Sequence, residues 1–187
     1  MAVTRIMAMH LNKGRTIAQC LKDRTDYAKN PGKTKGGELI SAFGCDPRTA
    51  DAEFLFAKRQ YRQFTGREPK NDVIAYQIRQ SFKPGEVTPE EANRIGYEFA
   101  ERFLKGKHAF IVATHTDRAH IHNHIIYNST ALDGTRKFKN FWLSTFAVQR
   151  LSDLICLEHQ LSTIEYKPYR ERQKRIVYPP KIGRAHV

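Results

Sequence analysis

Residues 108–114 and 121–129, HAFIVAT and IHNHIIYNS, are two apolar-rich runs joined across Thr116-Asp117-Arg118-Ala119. Runs of strand length this close together are buried most simply as paired strands of one sheet. The remaining chain must then flank that pair with strands and cover it with helices. Residues 3–10 predict a first strand, 39–43 a short one, and 72–82 a half-buried one with Ile74, Tyr76, Ile78 and Phe82 on one face and the other face open to water. Between them, 16–29 and 49–64 carry helical spacing, the second with Phe54, Ala57, Tyr61 and Phe64 inward and Lys58, Arg59 and Arg62 outward. Thr88-Pro89-Glu90-Glu91 supplies an N-cap, a proline at the first helical position and a capping-box glutamate for a helix lined by Ala92, Ile95, Phe99 and Phe103. A last helix over 143–159 presents Leu143, Phe146, Leu151, Leu154 and Ile155. The order βαβαβα, then ββ, then α predicts an α+β sandwich, a central antiparallel sheet with flanking helices on one face.

The second feature of the hairpin is chemical. His115, His120, His122 and His124, four of the eight histidines, fall within ten residues. Side chains on a strand alternate, so His120, His122 and His124 project to one side, with His115 across the connection on the neighbouring strand. Three imidazoles there can converge on one divalent ion. Imidazole suits manganese, zinc, nickel or iron better than calcium, and an open site facing phosphate oxygens also works with magnesium. We assign His115, His122 and His124 as ligands and leave His120 as an alternative ligand, a phosphate contact or a support for the others. Asp117 reads equally as an acceptor for an imidazole N–H or as a turn former.

The partner of such a site follows from charge. Thirty-two Lys and Arg against nineteen Asp and Glu leave a formal +13, which implies an anionic partner, and aromatics at 11 % offer the stacking groups that single-stranded nucleic acid uses. Cys20, Cys45 and Cys156 have neither the spacing of a zinc knuckle nor the pairing of a disulfide scaffold. No run reaches the roughly 18 apolar residues of a membrane span, and the N-terminus lacks a signal peptide's apolar core, so a soluble intracellular protein is expected. A histidine-bound metal beside a basic surface suggests phosphodiester chemistry, in which either water or a side chain attacks. Tyr27, at the end of the first helix beside the basic loop 29–37, is the side-chain candidate; taken alone, a tyrosine so placed is more often a core or helix-end residue. Residues 165–175, rich in Lys and Arg, suit a DNA-tracking arm or a solvated linker. The final KIGRAHV, residues 181–187, matches the translation of a sequencing adaptor and is expected to be non-native.

Three blocks carry a resemblance. DYAKNPGKT at Asp26–Thr34, QSFKPGEVTPEEA at Gln80–Ala92 and ATHTDRAHIHNHIIYNS at Ala113–Ser129 resemble, in the same order, the relaxase domain of plasmid and conjugative-transposon mobilisation proteins. This is the MobA/MobL, VirD2-like group of HUH-tyrosine endonucleases. The similarity spans nearly all of residues 2–167 and implies a relaxase domain over 1–165, with 166–180 a basic linker or the start of a truncated C-terminal region. It implies a DNA nickase that attacks an origin of transfer with a tyrosine, leaving a 5′-phosphotyrosine and a free 3′-hydroxyl. Carried over by position, the nucleophile is Tyr27 and the ligands are His115, His122 and His124. The implied cofactor is one divalent ion, Mn2+ or Mg2+ first and Zn2+ or Ni2+ next.

The implied partners are single-stranded origin DNA, a relaxosome accessory protein and a secretion coupling protein, in a bacterial cytoplasm or a recipient cell. Lys29, Lys33, Lys35 and Arg79 are the expected DNA contacts, although each lysine alone reads as well as a solvated loop residue. Two positions depart from the family's pattern. Asn123 stands where the HUH pair usually encloses a hydrophobe and should point away from the metal face. Gly32 stands where NPEKT is commoner and should loosen the loop. His10 reads as structural or DNA-facing. A rolling-circle replication initiator or transposase of the same superfamily, a hydrolytic metal nuclease, and a non-enzymatic DNA-binding module are the rival readings.

Overall fold

The computed structural model describes residues 2–67 and 73–163. The linker expected at 166–180 and the tail at 181–187 lie outside the described residues. Chain order is β1 (Val3–His10), α1 (Ile17–Ala28), β2 (Ile40–Phe43), α2 (Ala50–Thr65), β3 (Val73–Ser81), α3 (Pro89–Leu104), β4 (Phe110–His115), β5 (His122–Asn128) and α4 (Ser144–Glu158). The strands form one antiparallel sheet in the order β1-β3-β5-β4-β2, with the hairpin β4–β5 inside it. Every residue of β4 and β5 is buried, so each strand has a core on both sides.

The helices divide between the two faces, which corrects the expectation that one face carries them all. Tyr76, Ile78, Phe110, Val112, Ile125 and Tyr127 pack under α3 and α4, whereas Ala75, Ile111, Ala113 and Ile126 pack under α1 and α2. A central strand with two buried faces needs apolar residues at both parities, and β4 and β5 have them.

Local signals explain where the helices start. Thr88 caps α3 with Glu91 reciprocating and Pro89 at the first position, and Thr16 and Gln19 form the same box on α1. Three expectations about packing are corrected. Ile74 lies in the α1/α2 core rather than beside Tyr76 and Ile78, because the β1–β3 register slips between Met9 and His10 and leaves Ile74 as an extra residue that reverses the alternation. Lys58 is buried rather than outward, its ammonium donating to Ser129 Oγ at 2.6 Å. On α4 the buried face is Ser144, Val148, Ser152, Ile155 and Cys156, while Leu143, Phe146 and Leu154 are exposed. Small residues win there because the helix lies close against the sheet, where Ser152 Oγ accepts a hydrogen bond from Gln80. Among the described residues no helix is long and apolar enough to cross a membrane.

Candidate active site

The site sits on the α1/α2 face, at the end of the sheet where β4 stops and β5 begins. His115 and His122 face each other directly in the β4–β5 register, and His124 follows two residues on, so all three imidazoles share that face. Their ring centroids are 4.3 Å (His115–His124), 5.1 Å (His115–His122) and 5.1 Å (His122–His124) apart, and one nitrogen from each falls within 4.8 Å of the others. All three are buried.

Each ring is held by its second nitrogen. His115 Nε2–H donates to the Ala28 carbonyl at 2.8 Å, leaving Nδ1 without a partner. The Gln77 amide nitrogen meets His124 Nδ1, and His124 Nε2 is buried without a partner. His122 Nδ1 lies 3.4 Å from the His120 carbonyl, a weaker tether. Burial first, and then the neighbouring imidazoles and Arg79, push His124 down to about 3, and burial likewise lowers His115 and His122. Three neutral imidazoles with two orphaned buried nitrogens form a donor set suited to a divalent cation.

Tyr27 is 56 % exposed, near the end of α1, with its ring 6.0 Å from that of His115 and 5.8 Å from that of His124. The preceding and following elements anchor it. Ala28, the next residue, carries the carbonyl that binds His115, and the loop beyond is stitched by Lys33 N–H to Asn30 O at 2.9 Å and Gly36 N–H to Pro31 O at 2.9 Å. Thr34 within it is fully buried. Gly32 lies within this bonded loop: its N–H donates to Asn30 Oδ1 at 2.9 Å, closing a local Asx turn.

The lysines diverge. Lys33 lies 4.6 Å over the Tyr27 ring and 3.4 Å from Asp117. Lys29 points elsewhere, donating to the Pro47 carbonyl at 2.9 Å, and Lys35 pairs with Glu90 at 2.9 Å and Glu38 at 3.7 Å. Arg79 is exposed on β3, opposite His124 in the register. Asp117 meets Lys33 rather than an imidazole. His120 precedes β5, its ring 5.3 Å from that of His122, and is not among the three histidines whose nitrogens converge. His10 lies at the opposite end of the sheet, paired with Val73.

Ala28 and Gln77, which orient two of the imidazoles, were not singled out in the sequence. A backbone carbonyl leaves no residue signature, and Gln77 read as a wet-face polar residue until the β3–β5 register placed it on the histidine side. Asn123 points to the other face as expected. It accepts from Thr114 Oγ1 at 2.7 Å and donates to the Ala92 carbonyl at 2.6 Å and Gln80 Oε1 at 3.1 Å, fastening α3 to the sheet directly behind the histidines.

The family described as "Relaxase: MobA/VirD2-like, nuclease domain" matches residues 27–161. The chain is 38 % identical to Protein rlx of Staphylococcus aureus over 77 % of its own length and 45 % of the relative's. It is 29 % identical to the group II intron-interrupted relaxase LtrB of Lactococcus lactis subsp. cremoris over 83 % of its length and 35 % of LtrB. The chain thus spans less than half the length of these curated relatives. A solved structure titled "Molecular Basis of Vancomycin Resistance Transfer in Staphylococcus aureus" shares the fold, with a TM-score of 0.51 at 15 % identity, covering 89 % of this chain and all of that one.

Proposed function

The chain belongs to the MobA/VirD2-like relaxase nuclease-domain family, and from that premise we propose that it nicks one DNA strand at an origin of transfer by tyrosine transesterification. The observation that carries the proposal is the exposed phenol of Tyr27 beside a buried, neutral three-histidine cluster, with its ring 5.8 Å from that of His124. In this reading Tyr27 Oη attacks the scissile phosphorus of single-stranded DNA. The new Oη–P bond replaces the P–O3′ bond, the phenol proton leaves, and the 3′-oxygen departs as a hydroxyl, giving a 5′-phosphotyrosine. The phosphate ester is kept in the adduct, so the reverse attack by a 3′-hydroxyl rejoins the strand. Lys33, over the Tyr27 ring, and Arg79, beside His124, meet the phosphates that flank the reacting one.

His115, His122 and His124 hold the cofactor, with the Ala28 carbonyl and Gln77 fixing the first and third rings. A divalent cation bound there, Mn2+ or Mg2+ in preference to Zn2+ or Ni2+, stabilises the negative charge that develops on the transferring phosphate. The relaxase domain occupies residues 1–165. Its partners in this reading are single-stranded origin DNA in the bacterial cytoplasm, a relaxosome accessory protein and a secretion coupling protein. Incubation with labelled single-stranded origin DNA and manganese or magnesium should give a covalent adduct in a denaturing gel, mapped by mass spectrometry to Tyr27 and lost in Tyr27→Phe. Mapping to Tyr61 or Tyr127, or full cleavage by Tyr27→Phe, overturns the tyrosine mechanism in favour of another nucleophile or of hydrolysis.

A further inference from the structure

A cavity of about 700 Å3 opens between the 10–17 segment and α2, at the end of the sheet opposite the histidines. Its lining includes Lys13, Arg59 and Arg67, with Arg15, which pairs with Asp23, and Arg62 and Lys137 alongside; no carboxylate is among the described residues that line it. Ile17, Leu55, Tyr61 and Ile74 form its apolar part, with Lys137 lying 5.1 Å over the Tyr61 ring. His10 and Lys58 complete its polar side. Such a concentration of one sign of charge in a concave site focuses attraction for anions. An apolar floor beneath a cationic rim suits a ligand that is itself half apolar and half anionic.

We propose that this groove is a second binding site for single-stranded nucleic acid, taking unstacked bases on the apolar floor and their phosphates on the cationic rim. The proposal rests on the DNA-processing reading above and assigns where the strand runs beyond the reacting phosphate. Two distances link the sites. Helix α1 begins at Ile17 in the groove and carries Tyr27 ten residues on, about 15 Å at 1.5 Å per residue. Along β3, Val73 beside His10 and Arg79 beside His124 are six residues apart, about 20 Å at 3.3 Å per residue. Both elements lead from groove to histidines, a span of about 15–20 Å that a few nucleotides of extended single strand can bridge. A duplex, whose bases are already paired and stacked, has no use for the apolar floor.

The test is metal-free equilibrium binding of the full chain to a fluorescent oligothymidine of about 20 nucleotides, longer than the roughly 4–16 that a comparable single-strand site covers. Salt is varied between about 50 and 200 mM. The triple variant Lys13→Glu, Arg59→Glu, Arg67→Glu is compared with a charge-matched control, Lys105→Glu, Lys107→Glu, Arg150→Glu, in the loop that leaves α3 and on α4 at the other face. Circular dichroism establishes that both variants fold. The groove variant should bind roughly tenfold or more weakly at low salt, with the log–log salt slope reduced by about 2, since each phosphate contact on a single strand contributes about 0.7. The control should lose far less. Equal losses in the two variants, or an equally tight and equally weakened duplex of the same length, overturn the groove assignment. Neither readout uses metal or Tyr27, so failure here leaves the adduct experiment standing, and failure of the adduct experiment leaves this one interpretable.

Discussion

Gly96→Ala should destabilise the protein, although an alanine in mid-helix normally helps. Gly96 lies within α3, fully packed, and a Cβ there would fall 2.9 Å from Val112 Cγ1, 3.0 Å from Asn123 Cγ and closer still to Asn123 Nδ2. Asn123 has nowhere to retreat, because its amide bridges the Ala92 carbonyl, Gln80 and Thr114. Better helix propensity contributes about 1 kcal/mol in favour. Against it stand overpacking at about 1–3 kcal/mol and two or more buried hydrogen bonds at about 1–3 kcal/mol each. The balance is a loss of roughly 2–8 kcal/mol, of which the lower end alone is roughly 4–8 °C in melting temperature for a domain of this size. Thermal unfolding by circular dichroism measures it. The mechanism also requires coupling: in an Asn123→Ala background the contacts with the amide are gone and only Val112 Cγ1 has to shift, so Gly96→Ala should cost much less than in the wild type. A single variant as stable as wild type, or an undiminished loss in the Asn123→Ala background, refutes the argument.

Alanine at His115, His122 or His124 should abolish manganese binding, measured by calorimetry, while oligothymidine affinity falls little, because affinity for single strands comes chiefly from cations and stacking; His120→Ala should retain the metal. In the metal-free protein His124 stands at about 3 against an ordinary value of about 6.5, so as pH falls below about 6.5 the unfolded chain takes up the proton first. The melting temperature should therefore drop between about pH 7 and pH 5, and manganese should protect more at the higher pH. Thr88→Ala removes the capping box of α3 and should lower stability by about 1 kcal/mol in urea denaturation.

How legible the molecule was in its sequence depended on which physical signal each residue carries. The order of elements could be read because caps and periodicity are local: Thr88-Pro89-Glu90-Glu91 announces α3 wherever the helix packs. The histidines were readable because a hairpin fixes which positions share a face. Layering was not. Gln80 shares the inward parity of Ile78 and Phe82, yet how a polar residue is tolerated there, buried and satisfied by Ser152 and Asn123, is visible only once α3 and α4 are in place. The β-bulge at Ile74 reversed a face that strict alternation would have kept. On α4 the larger apolar residues suggested the core, but proximity to the sheet selected the small ones.

The hydrogen bond from His115 to the carbonyl of Ala28 joins two parts that would otherwise vary independently. Tyr27 and Ala28 are neighbours on one helical turn, so any shift of that turn moves the phenol and retunes the imidazole at once. Position and tautomer are thereby inherited together. A chimera that borrows α1 from a relative without borrowing the end of β4 would separate them, and the same holds for an insertion placed between residues 28 and 33. Exchange of parts among such domains should succeed only when helix and strand travel as a pair.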